Sequence, residues 1–288
     1  MATFEFKGKT FYIDGRLKRQ LDSKIIPDLK KRDKDCVFII EGKERTGKTK
    51  FSDILAAYVA SKLGTEYNLS NMCMSPQEFR NKIMSSKKGQ PVIYDEAHRG
   101  MASARALSEI NNILKDLMME MGQKNLFVLI NLPTFFLLDK YAALFRARGV
   151  FHIYERKGKR GYWVFFNEKK KLILYMKGKK EFNYNCMRWP RFRGRFYNQY
   201  AVDEQEYRKK KALSFKQRPR ITRAEAYKAQ RDSLFWYMNK KLDINQTKIA
   251  EISEEMNIVI KRNTISEIIA EMDRELARRK GEKEQKVD

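Results

Sequence analysis

The sequence predicts an α/β fold: a mainly parallel sheet flanked by helices, followed by a small basic β-rich extension and a helical C-terminal region. Three observations predict it. Short apolar runs alternate with longer amphipathic stretches through the first half of the chain, the pattern of strands joined by crossover helices. The first long run, Cys36–Glu41, is apolar until its last residue, as a strand buried on both faces must be. Beyond about Asp203 the strand pattern stops and only helical spacing remains.

The elements follow in order. Thr3–Ile13 alternates polar with apolar residues and turns near Gly8, which predicts a hairpin. Lys48–Leu63 reads as a helix and Asn71–Met74 as a short strand. Ser75, Pro76 and Glu78 mark a helix start: an N-cap, a proline in the first turn and an acid three residues after the cap. Pro91–Asp95 is a third strand, Ala102–Met121 a long helix and Asn125–Asn131 a fourth strand. Thr134 is expected to cap a helix reaching Arg146, before a fifth strand at Val150–Tyr154. Gly161–Asn167 and Lys171–Met176 read as two further short strands.

Charge divides the chain. The net charge of +25 comes from 61 basic and 36 acidic side chains. Residues 1–154 carry +9, residues 155–220 carry +15 and residues 221–288 carry +1. The expected organisation is a core over 1–154, a basic extension over 155–220 and a helical region over 221–288. Such an imbalance forecasts a polyanionic partner, nucleic acid before membrane. The 42% apolar content excludes a disordered chain. Cys36, Cys73 and Cys186 are too scattered for a zinc site, and the histidines are His98 and His152. With no secretory leader and no apolar run long enough for a bilayer, the expected location is cytoplasmic.

Gly42-Lys43-Glu44-Arg45-Thr46-Gly47-Lys48-Thr49 spells GxxxxGKT between a buried strand and a helix, the context that this phosphate-binding motif demands. Its glycines let backbone amides curl around a phosphate, and the helix N-terminus adds a favourable dipole. Lys48 is expected on the β/γ oxygens of ATP and the Thr49 hydroxyl on Mg²⁺. Val92-Ile93-Tyr94-Asp95-Glu96 supplies the second half: Asp95 for the Mg²⁺ shell and Glu96 to polarise the attacking water. These residues predict a P-loop NTPase that hydrolyses ATP, with no other small-molecule substrate.

The string Asp95-Glu96-Ala97-His98 matches DEAH helicases only locally, because the other motifs of those enzymes and a second lobe are missing. The strand Asn71–Met74, between the two motif strands, together with Glu96 after Asp95 resembles the additional-strand, catalytic-glutamate division of P-loop NTPases. That resemblance implies a polar γ-phosphate sensor at a strand tip, and Asn131 is the candidate. Over about residues 36–200, the order of both motifs, Asn131 and Arg146-Ala147-Arg148 resembles the FtsK–HerA superfamily, especially the compact zonula-occludens-toxin-like ATPases of viruses and mobile elements. The resemblance implies a homo-oligomeric ring, a hexamer, that moves double-stranded DNA. Arg146 or Arg148 would then be a finger reaching a neighbour's ATP. Aromatics interleaved with basic residues over 155–220 (Tyr162, Trp163, Trp189, Phe192, Phe196 and Tyr197, with Tyr154 just before) are candidates for DNA contact or for core. In the tail, the apolar faces of 246–256 and 265–272 fit a helix-turn-helix or an oligomerising bundle. The expected function is an ATP-driven DNA motor for packaging or transfer, with an ATP-dependent DNA-binding regulator as the alternative.

Overall fold

The computed structural model describes residues 2–95, 111–112, 124–184, 186, 192–216, 223–255 and 260–284. The chain divides into two compact units, Met1–Gln217 and Arg218–Asp288.

The first unit is α/β, built on a mostly parallel mixed sheet of seven strands. Strands β1 (Ala2–Phe6) and β2 (Lys9–Ile13) form a separate antiparallel hairpin. Its two-residue turn holds Lys7 at φ 49° and Gly8 at φ 72°, the left-handed pair that tight hairpins require. Helices α1 (Gly15–Gln20) and α2 (Ile26–Lys31) lead to β3 (Cys36–Glu41). Then come α3 (Lys48–Leu63), β4 (Met72–Cys73), α4 (Pro76–Ser85), β5 (Pro91–Asp95) and β6 (Phe127–Leu132). The antiparallel β7 (Gly149–Arg156) and β8 (Lys159–Asn167) follow, then α5 (Glu168–Ile173) and β9 (Arg193–Arg195), and α6 (Glu204–Lys216) closes the unit.

The sheet order is β4-β5-β6-β3-β7-β8-β9, with β4 to β7 parallel and the last two strands antiparallel. Strand residues alternate between two cores, which explains the near-continuous apolar runs. Phe38, Ile40, Leu129 and Phe151 face α3, the hairpin and α1–α2. Val37, Ile39, Val128 and Val150 face α4 and the segment 135–147 on the other side.

The structure corrects several expectations. Asn71–Met74 comes between the two motif strands in sequence but lies at the sheet edge; the strand between them in space is β6. Lys171–Met176 is helical: Asn167 caps the amide of Lys170, and positions 171, 174, 175 and 178 are buried, a three-and-four spacing that a strand cannot produce. The helix expected from Thr134 to Arg146 is broken in two: a 3₁₀ turn, Phe135–Leu137, stops because Leu138 is extended, and a second helical stretch, which Asp139 starts by accepting from the amide of Ala142, ends at Arg146 as expected. The basic segment is no separate domain. β8 pairs with β7 from Gly149↔Asn167 onward and β9 adds to it, so both strands continue the same sheet. Among its described aromatics, Trp163 is fully buried and Phe192 and Phe196 pack partly buried against the same core, whereas Tyr197 is exposed. Trp189 lies outside the described residues, as does most of the helix expected over 102–121.

The second unit holds α7 (Arg223–Lys240), α8 (Gln246–Glu255) and α9 (Arg262–Glu284). They meet around Phe235, Ile249, Ile265, Ile268 and Ile269. Among the described residues no helix is long and apolar enough to cross a membrane.

Candidate nucleotide site

The loop between β3 and α3 sits at the carboxyl ends of the parallel strands, where open α/β sheets bind ligands. Two of its glycines are required by close approach. Gly42 adopts φ 150°, and a Cβ there would stand 2.3 Å from the carbonyl oxygen of Ile153 on β7. Gly47 adopts φ 102°, and a Cβ would meet the Phe196 ring at 3.1 Å. Arg45 between them is also left-handed, at φ 62°, and the Thr46 hydroxyl closes the loop by donating to Lys43 O at 2.8 Å.

Lys48 opens α3 and turns back onto the loop, its ammonium donating to Gly42 O at 2.5 Å and Lys43 O at 2.9 Å. Burial pulls its pKa below the ordinary lysine range, against the opposing pull of the Glu41 and Asp95 carboxylates. One residue on, the Thr49 hydroxyl donates to Asp95 Oδ1 at 3.0 Å. Asn131, at the tip of β6, donates from Nδ2 to the same Oδ1 at 2.8 Å and accepts from the Ser52 hydroxyl of α3. Helix α3 and the adjacent strands β5 and β6 therefore place a hydroxyl, a carboxylate and an amide together. Asp95 and Asn131 are both buried.

Helix α6 closes over this group, an arrangement no sequence motif announces. Tyr207, itself buried, donates to Asp95 Oδ2 at 2.6 Å, and Lys211 lies 3.4 Å from the same oxygen. Lys211 also donates to the Tyr207 hydroxyl at 2.9 Å. Burial and the Asp95 carboxylate push the Tyr207 phenol far up, so it stays a donor. The helix is held there from several sides. Asp53 of α3 accepts from the amides of Ala201 and Val202 just before it, and Lys210 donates to Met72 O at 2.6 Å and pairs with Glu78. The result is a cavity of about 540 Å³ over the Gly42–Thr49 loop, lined by Glu44, Arg45, Gly47, Thr49, Asn131 and the Tyr207–Lys211 face of α6.

Behind the loop, Glu41 is fully buried and pairs with His152 Nδ1. The His152 ring stacks on Tyr184 at 4.5 Å, and the Tyr184 hydroxyl accepts from the amide of Phe135 at 3.0 Å. This chain of contacts ties the segment following Asn131 to the base of the loop.

Compared with known proteins, the chain matches no protein-family model and no curated protein.

The remaining expected residues separate. Glu96 lies outside the described residues. Arg146 and Arg148 lie at the opposite end of the sheet from the loop, just before β7 begins. Arg146 forms a two-pronged pair with Asp35, and Arg148 pairs with Asp28 at 2.5 Å. Burial raises the Asp28 pKa, but hydrogen bonds from Arg148 and Arg32 outweigh it and hold the carboxyl below its usual range. Within the chain both guanidiniums are therefore paired, beside the start of β3 and β7. The thiols of Cys36 and Cys73 are pushed up to about 12 by burial, which fits core residues and not nucleophiles.

Thr49 and Asp95 bring one hydroxyl and one carboxylate, too few groups to hold a magnesium ion alone; phosphate and water ligands would have to complete its shell. Six basic side chains face two carboxylates around the cavity, an excess suited to a triphosphate.

Proposed function

We propose that this chain binds Mg-ATP at Gly42–Thr49 and Asp95 and hydrolyses it to move double-stranded DNA, as a subunit of a homo-oligomeric ring. The observation that carries the reading is the convergence of Thr49, Asp95 and Asn131 beneath a glycine-shaped loop at the carboxyl edge of a parallel sheet. The strand order supports it too: the β6 tip stands between the loop strand and the Asp95 strand, where a γ-phosphate sensor belongs.

In this reading Lys48 leaves the loop carbonyls and takes phosphate oxygens, while the loop amides hold the β-phosphate. Thr49 and Asp95 hold magnesium, which would neutralise charge on the phosphates when bound. Asn131 aligns Asp95 and the terminal phosphate, and Glu96 takes the proton from water.

Support for a DNA partner is electrostatic. Lys177, Lys179 and Lys180 are exposed on the helical run after β8, within the segment that carries +15. Neutralising all three should make the salt dependence of duplex binding shallower by up to about three log–log units, with ATP turnover without DNA unchanged. Unaltered salt dependence would place the DNA path elsewhere. The functional test is ATPase rate with and without duplex DNA: a motor is strongly stimulated, and absence of stimulation would contradict translocation.

One observation favours a DNA-binding regulator instead. In the second unit α8 and α9 pack through Ile249 and Ile265, with Lys261, Arg262, Asn263 and Thr264 exposed at the start of α9, as a reading helix would present them. Tight sequence-specific binding with little stimulation of turnover would select this reading.

A further inference from the structure

Arg146 and Arg148 are paired with Asp35 and Asp28 away from the loop, so a cation held directly over Asp95, opposite Lys48, has to come from another element. Helix α6 carries one. Lys211 stands over the Thr49–Asp95–Asn131 group, its ammonium shared between Asp95 Oδ2 at 3.4 Å and the Tyr207 hydroxyl at 2.9 Å. Its position is fixed by the fold, through Asp53 gripping the backbone before α6 and Lys210 clamping the helix to β4.

We propose that Lys211 is the second phosphate cation of the site, reading the terminal phosphate of a nucleoside triphosphate from within the same chain. The proposal rests on the nucleotide-binding reading above and adds to it the source of triphosphate selectivity. In the free protein Asp95 Oδ2 is neutralised by Lys211 and hydrogen-bonded by Tyr207. With magnesium on Asp95, that carboxylate would no longer neutralise Lys211, which would then share the cavity with Lys48 without its acidic partner. Two ammonium groups lining one cavity favour an anion between them. Lys48, rooted at the loop, serves the inner phosphates. Lys211, on the Asp95–Asn131 side, serves the outermost one. A diphosphate leaves Lys211 unpaired and gains nothing from it.

The test is binding of a fluorescent non-hydrolysable ATP analogue and of the matching ADP analogue to the full chain in saturating magnesium. Lys211→Met should weaken the triphosphate analogue by roughly ten- to a hundredfold, the loss expected for a charge-assisted contact, and the diphosphate analogue by under about threefold. Lys209→Met, on an exposed position of the same helix, should change neither. Thermal melting without nucleotide checks that each variant is folded. If Lys211→Met is not, Lys211→Arg decides: the retained charge should keep the preference for triphosphate, and its loss would count against the proposal. Equal weakening of both analogues, or none, overturns the proposal and leaves the nucleotide reading standing. Failure of the wild-type chain to bind either analogue removes the nucleotide reading itself.

Discussion

Asp53 offers a prediction whose magnitude follows from the structure. It sits inside α3, fully buried, and accepts hydrogen bonds from the Tyr67 hydroxyl at 2.6 Å and the amides of Ala201 at 2.6 Å and Val202 at 3.3 Å. Burial outweighs those three donors and pushes its pKa from 3.8 up to about 6, with the Asp95 charge adding to the rise. Between these two values the folded chain holds a proton that the unfolded chain has released. The contribution is therefore complete below pH 3.8 and is lost as pH rises through about 6. At 1.36 kcal/mol per unit the whole effect is about 3 kcal/mol, of which about 2 kcal/mol falls between pH 4.5 and 8. Asp53→Asn removes the titration and keeps a workable bond pattern: its oxygen accepts from Ala201 and Val202, and its amide donates to Tyr67. Urea unfolding of both proteins over pH 4.5–8 isolates the term, because other groups cancel in the difference. Wild type minus variant should fall by about 2 kcal/mol toward pH 8 and then stay level. Parallel curves, constant within about 0.5 kcal/mol, would refute the reasoning.

Asn131→Ala cuts the bridge from Ser52 to Asp95, and steady-state kinetics should show kcat falling about 10- to 100-fold with KM little changed; an unchanged kcat would make Asn131 a structural residue alone. Lys171 is fully buried and donates to the carbonyls of Leu144 and Ala147, with burial drawing its pKa down to about 8. Lys171→Met strands both carbonyls and should cost about 2–4 kcal/mol in urea unfolding; no loss would mean that water replaces the ammonium.

The core strands and α3 were legible in the sequence because both faces of the sheet are buried, so their apolar runs stand out between turn residues. The Gly42–Thr49 loop was legible because only glycine tolerates the backbone at Gly42 and Gly47. Asp95 and Asn131 could be picked out as strand ends, and their meeting follows from the strand order. What the sequence did not disclose depends on long-range packing. Tyr207 and Lys211 are one turn apart in a lysine-rich run that looks like any solvated helix, and only the return of α6 across the strand ends gives them a role. The same holds for Asp53, an acid in mid-helix whose two backbone partners, Ala201 and Val202, lie about 150 residues away. Lys171–Met176 misled because its apolar residues suit a strand, whereas Asn167 and Glu168 ahead of it start a helix. The pairing of the arginines before β7 with Asp35 and Asp28 was equally hidden, because those acids lie 111 and 120 residues away.

Titration calorimetry of Mg-ATP into the wild-type chain and into Lys48→Ala tests the central claim most directly. Lys48 is the cation rooted in the loop, and its ammonium now rests on carbonyl oxygens that phosphate oxygens would replace. The account predicts saturable binding by wild type, with an affinity between roughly 1 μM and 1 mM, and its loss by at least about tenfold in Lys48→Ala. Equal binding by both proteins, or none by the wild type, would contradict it.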